Sequence, residues 1–224
     1  MSMPSSSVRR WEPYAGIAYV ICFLASVTVS SPPADNASNQ KWIANYTGHS
    51  EQARHLATGI LLLLAGLALM TFLVALWRRI AEAEPTAPPS RLPIAAAATA
   101  AALMGAGGMV MGYIAGGEIL GRYPLPSVDL LRMSNDLGFA LAGIAGAWSA
   151  AVAVATLSIQ GHAAGVFGPR MRTGGVIAAG LLILSPLFIP IVALLAWVLT
   201  VAITWIRRSD RLTPVPERRT AVSR

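Results

Sequence analysis

Five polar residues stand at the margins of long apolar runs in this 224-residue chain: Arg54, His55, Glu118, Asn135 and Asp136. Their types suit charge pairing, helix capping or the capture of a small polar ligand. Arg54 and His55 open one run, Glu118 closes the next, and Asn135 with Asp136 opens the one after. If these runs are antiparallel helices, all five residues reach one end of the bundle. Ionisable groups at membrane depth are costly, and where they occur they usually face an interior or a cavity. Capping and solvation explain them first, with Ser134 or Asp136 as a helix N-cap and Glu118 hydrated at the interface. A structural salt-bridge cluster comes second, and a ligand or ion site third.

Other chemistry is not legible. The sequence carries no Ser–His–Asp order, no metal-ligand spacing and no phosphate-binding glycine loop. The glycines of GAGGMVMGYIAGG lack the βαβ setting that a dinucleotide motif needs, so helix packing accounts for them. Cys22 is the only cysteine, which rules out an intrachain disulfide and a thiolate cluster. It reads as a small buried hydrophobe. Thr58, Thr71, Thr99 and Thr200 are expected to bond to their own helices. Trp148 and Trp197 fall mid-run and are expected to pack on small-residue faces, whereas Trp11, Trp77 and Trp205 fit the interfacial belt. No acid/base pair lies within a run, so the chain reads as neither an enzyme nor a cofactor or metal protein.

The elements that must position these residues are membrane helices. Hydrophobic residues make up 55% of the chain and charged residues 12%, with the apolar residues gathered in runs near 20. That is the composition of an all-α polytopic transmembrane bundle. The net charge of +7 sits at the ends of the apolar runs, where it orients spans and meets anionic lipid, so nucleic acid is not the expected partner.

The longest uncharged stretch, residues 174–206, decides the topology. As one helix it would be about 50 Å long, against a hydrocarbon core of roughly 30 Å. Pro186 and Pro190 each remove a backbone donor within it, so it reads as two helices joined by a turn. The spacing therefore predicts six spans, over about 14–30, 55–77, 93–117, 137–159, 169–185 and 187–206, in a transmembrane domain 14–206. Five spans with a kinked last helix are the alternative. With six, thirteen basic residues are cytoplasmic and four external; with five, the split is seven to ten. The positive-inside rule favours six, with residues 1–13 and a disordered basic tail 207–224 both cytoplasmic.

Between the spans, Trp42, Ile43 and Tyr46 predict one face of a short helix lying on the membrane surface. Residues 127–132 predict one amphipathic turn before the fourth span. Gly108, Gly112 and Gly116 recur every four residues, as do Gly143, Ala147 and Ala151. The two small-residue faces are expected to pack together, because the spans that carry them are antiparallel neighbours.

The start Trp11-Glu12-x-Tyr14-Ala15-Gly16, the stretch Asn135-Asp136-Leu137-Gly138 and the Ser185-Pro186 turn resemble a broad group of uncharacterised bacterial membrane proteins of about six helices. The resemblance covers nearly the whole chain and implies no activity. The expected function is a non-enzymatic assembly or regulatory partner in the cell membrane, in contact with the bilayer and with a membrane-protein partner or a second copy. The alternative is a small-solute transporter or channel component using the external polar level.

Overall fold

In the computed structural model of the chain, residues 11–30, 32–34, 36–119, 121, 124–187 and 190–211 are described, together with their side chains except those of 118 and 209–211. The basic segment up to Arg10, Arg122 and the tail beyond Arg211 lie outside the described residues. The described residues form helices and connections, with no strand among them. Helix α1 (Glu12–Val29) starts with Pro13 in its first turn, where a missing N–H costs nothing. Helix α2 (Asn39–Thr47) is capped by Ser38, whose hydroxyl accepts from the Lys41 N–H. Helix α3 (His49–Ala83) has 35 residues and helix α4 (Leu92–Ile119) has 28. Helix α5 (Val128–Phe139), a π turn (Ala140–Ala145) and helix α6 (Gly146–Ala163) join into one rod. Helix α7 (Pro169–Leu182), a 3-10 turn (Ser185–Leu187) and helix α8 (Ile191–Arg211) complete the order.

Among the described residues, five helical stretches are long and apolar enough to cross a membrane: Glu12–Val29, His49–Ala83, Leu92–Gly117, Val128–Ala163 and Ile191–Arg208. The chain does break at Pro186 and Pro190, because α7 ends before the first and α8 begins after the second. Helix α7 has 14 residues, about 21 Å, and is shorter than each of the five.

Three expectations about these elements are corrected. First, the fourth long helix does not open at Ser134–Asp136. It begins at Val128, after Pro124 and Pro126, with Ser127 at its N-cap, and Asn135 and Asp136 lie inside it. Second, α2 does not lay its aromatic face on the membrane. Trp42 and Tyr46 are each 1% exposed and pack with Ala115 and Leu131 in a small second core, while Ile43 faces outward. Third, the Gly108, Gly112 and Gly116 face does not meet Gly143, Ala147 and Ala151. It packs on α3: a Cβ on Gly59 would stand 2.5 Å from the Gly108 carbonyl oxygen, and one on Gly112 3.3 Å from that of His55. Gly107, one position and about 100° around the helix, faces the α5–α6 rod instead, with a Cβ there 2.5 Å from the Gly138 carbonyl oxygen. Ala147 and Ala151 are buried in the main core, and a Cβ on Gly143 would meet the Phe139 ring of its own rod.

Backbone approach of this kind is what brings helices together in lipid, which supplies no hydrophobic drive between them. It also fixes the register. Gly59 meets Gly108 while Gly66 meets Ala101, so α3 and α4 are antiparallel. Gly16 of α1 meets Phe72 of α3 and Ala202 of α8, and Gly175 of α7 meets Ser158 of α6 and Trp197 of α8. The alternation gathers Arg78, Arg79, Arg91, Arg170, Arg172, Arg207 and Arg208 at one end. There Arg79 lies 4.8 Å from the Trp205 ring and Arg208 Nη1 donates to the Val166 carbonyl at 3.2 Å. At the opposite, cap end, α2 closes over α3 and α5. Arg132 ties it down, with Nη2 donating to the carbonyl of Ala37 at 3.0 Å and to Asn39 Oδ1 at 3.1 Å.

Candidate functional site

The short α7–α8 hairpin creates a cleft. Its turn packs against the π turn of the long rod, and Trp148 Nε1 donates to the Ile183 carbonyl at 3.2 Å. The hairpin thus reaches only the middle of the α5–α6 rod. Towards the cap end, α1 and α5 flank a partly open cavity of about 310 Å³, with Ile191 at the start of α8 contributing to its lining. Its α3 and α4 wall carries Thr58, Leu62 and Met111. Phe23, Ser26, Val27, Ser30 and Pro32 come from α1 and the residues after it, and Asn135, Phe139, Ala142 and Gly143 from the rod. A π turn is a rare element that occurs often at functional sites, and here it supplies Ala142 and Gly143 to the cavity.

Among the described residues the walls are apolar apart from three hydroxyls and one amide. Ser26 donates to the Phe23 carbonyl at 2.7 Å, so its hydroxyl proton is engaged within its own helix. Thr58 behaves differently from five other helical threonines. Thr71, Thr99, Thr156, Thr200 and Thr204 each donate to the carbonyl four residues earlier, at 2.7 to 3.0 Å. Thr58 is 3% exposed, and its Oγ1 has no hydrogen-bond partner. Thr58 was expected to bond to its own helix, as Thr71, Thr99 and Thr200 do, so this is a correction. A buried polar group left unpaired costs roughly 1–3 kcal/mol.

Of the five polar residues noted from the sequence, the four with described side chains have separate surroundings. Arg54 pairs with Glu51, one turn earlier on α3, at 3.1 Å on the surface. His55 is 8% exposed and stacks on Tyr46 with ring centroids 4.2 Å apart. Its Nε2 lies 2.6 Å from Asn45 Oδ1, a pairing that puts the proton on Nε2. Burial on the inner side of α2 pushes the Tyr46 hydroxyl up to about 12. Asn135 lines the cleft, and Asp136, the next residue, is exposed. The side chain of Glu118 lies outside those described.

The chain matches no protein-family model, no curated protein and no solved structure.

Sequence reasoning marked Asn135 as one of five polar residues at span ends, not as part of a cleft, and it did not mark Ser26, Met111 or Phe139. One signal was present. Ser26 and Ser30 recur at i and i+4 in an otherwise apolar run, marking a polar face on the first helix.

Proposed function

We propose that this chain is a non-enzymatic integral membrane protein of the cell membrane, acting as an assembly or regulatory partner of another membrane component. In this reading α7 and α8 are both spans, giving six in all. The arginine end with both termini is cytoplasmic and meets anionic lipid, and the cap end is external. Arg170 and Arg172 at the start of α7 extend its reach by snorkelling. The polar residues at the cap end, Arg54, His55, Glu118, Asn135 and Asp136, serve pairing, solvation and the cleft.

One face of α5, beside the cleft, carries this reading. Leu130, Met133 and Leu137 recur at i, i+3 and i+7 and are 41%, 59% and 49% exposed, while Leu131 and Gly138 seal the opposite side. An amphipathic helix that keeps a large apolar stripe at a membrane surface offers anchors to a partner. Among the described residues that line the cleft, none has a titratable side chain to serve as an acid or base.

A photo-crosslinking amino acid at Met133 in cells tests this. A discrete protein adduct, either a second membrane protein or another copy of this chain, is expected. Adducts to lipid alone at that position would contradict it. A transporter reading draws on the start of α8 at the cleft, an arrangement seen where half-helices meet substrates. It requires solute flux that depends on Asn135.

A further inference from the structure

We propose that the cleft binds one diacyl lipid from the leaflet at the cap end, an ester carbonyl meeting Thr58 and Asn135 while an acyl chain fills the apolar floor. The inference deepens the binding role proposed above by naming what the cleft holds. Four observations carry it.

The first is depth. Thr58 stands 19 positions from Trp77 along one continuous helix, about 28 Å, and Trp77 belongs to the belt at the arginine end. A hydrocarbon core is roughly 30 Å thick, so Thr58 and Asn135 lie where apolar chains give way to ester groups.

The second is the unused hydroxyl. Thr58 Oγ1 is buried, has no partner and departs from the behaviour of five other helical threonines. It can donate to a carbonyl oxygen, as can the amide nitrogen of Asn135.

The third is charge. Among the described residues the lining holds neither a cation to pair with a free carboxylate nor an anion to hold an ammonium, which suits a neutral ester better than a fatty acid anion.

The fourth is shape. The cavity measures about 310 Å³, with Phe23 and Phe139 on its two sides and Met111 on the inner wall. Val27 at the mouth is 37% exposed, leaving a lateral way in from the bilayer. That volume is far too small for a partner helix, which is about 10 Å across.

The test uses the full chain in phosphatidylcholine vesicles doped with a phosphatidylcholine carrying a diazirine on one acyl chain. After illumination, labelled residues are mapped by peptide mass spectrometry. Labelling is expected to concentrate on Val27, Met111 and Phe139, well above the lipid-facing Ile177 and Leu181 of α7. Thr58→Val, which keeps the shape and removes the donor, should lower cleft labelling about fivefold, the loss expected for one hydrogen bond, and leave α7 labelling unchanged. Val27→Phe, which narrows the mouth without touching the polar groups, should lower it as well. Cleft labelling no higher than on α7, or unchanged in both variants, would overturn the proposal. So would labelling by a diazirine fatty acid in place of the phospholipid. Crosslinking from Met133 reads the protein partner separately, so either result can fail without the other.

Discussion

At the residue scale, the cap end depends on a few polar contacts buried under a short helix. His55 was legible as a polar residue near the end of a span, but its partner was not. Asn45 lies ten positions away, and only the folding of α2 back over α3 brings it within 2.6 Å. Removing Asn45 leaves a buried imidazole N–H unpaired. We expect Asn45→Leu to destabilise the protein by about 1–3 kcal/mol, read as a lower unfolding temperature in detergent. Arg54→Ala, which removes only an exposed pair with Glu51, should shift that temperature little.

Tyr46 adds a pH dependence of defined sign. Burial raises its folded-state pKa from 10.0 to about 12, so the phenol ionises more easily in the unfolded chain. The stability it contributes is complete below pH 10 and is lost as pH rises towards 12. By linkage this amounts to about 2–3 kcal/mol. Alkaline unfolding followed by tryptophan fluorescence should therefore be shallower over that window in Tyr46→Phe than in the parent. Equal slopes would show that Tyr46 is not buried in its neutral form.

At the element scale, the sequence marked where helices end more reliably than which faces meet. Pro186 and Pro190 interrupt an uncharged run, and proline chemistry is local, so the α7–α8 break could be read directly. The start of α5 was missed because Ser134-Asn135-Asp136 has cap chemistry equal to that of Ser127. Tertiary packing decides between them, since Leu131 is buried only if the helix already runs through residues 128–139. The π turn has no sequence signature at all. The glycine stripe on α4 was visible, yet its partner was not. A small-residue face says that something approaches closely without saying what.

These contacts predict a contrast within the α3–α4 interface. A Cβ on Gly59 would fall 2.5 Å from a backbone oxygen of α4, which cannot yield without moving a helix. A Cβ on Gly116 would meet only the tip of Leu56, at an ordinary 3.7 Å. Gly59→Ala should cost about 1–3 kcal/mol by overpacking, while Gly116→Ala should be close to neutral. Thermal unfolding of the two variants in the same detergent separates them. Similar losses in both would argue against the α3–α4 register described here.

At the scale of the whole molecule, unequal helix lengths generate the features that suggest function. Helix α3 and the α5–α6 rod have 35 and 36 residues, about 52 and 54 Å, well beyond one hydrocarbon thickness. At the cap end α2 finds partners for Trp42 and Tyr46 against these long helices. The α7–α8 hairpin is shorter, and the space it leaves beneath the cap is the cleft. Composition alone indicated a polytopic helical protein, because long apolar runs have few other uses. The cleft was not legible, since it arises from the difference between two lengths rather than from any motif.

The same hairpin decides on which side of the membrane the chain ends, and the six-span account stands or falls with it. The most direct measurement is a pair of fusions after Arg224 in intact cells, one to a reporter active only in the cytoplasm and one to a reporter active only outside. The account predicts activity from the cytoplasmic reporter and none from the external one. Activity from the external reporter would mean that α7 and α8 do not both cross the membrane, which would contradict the hairpin, the orientation and the cytoplasmic arginine end together.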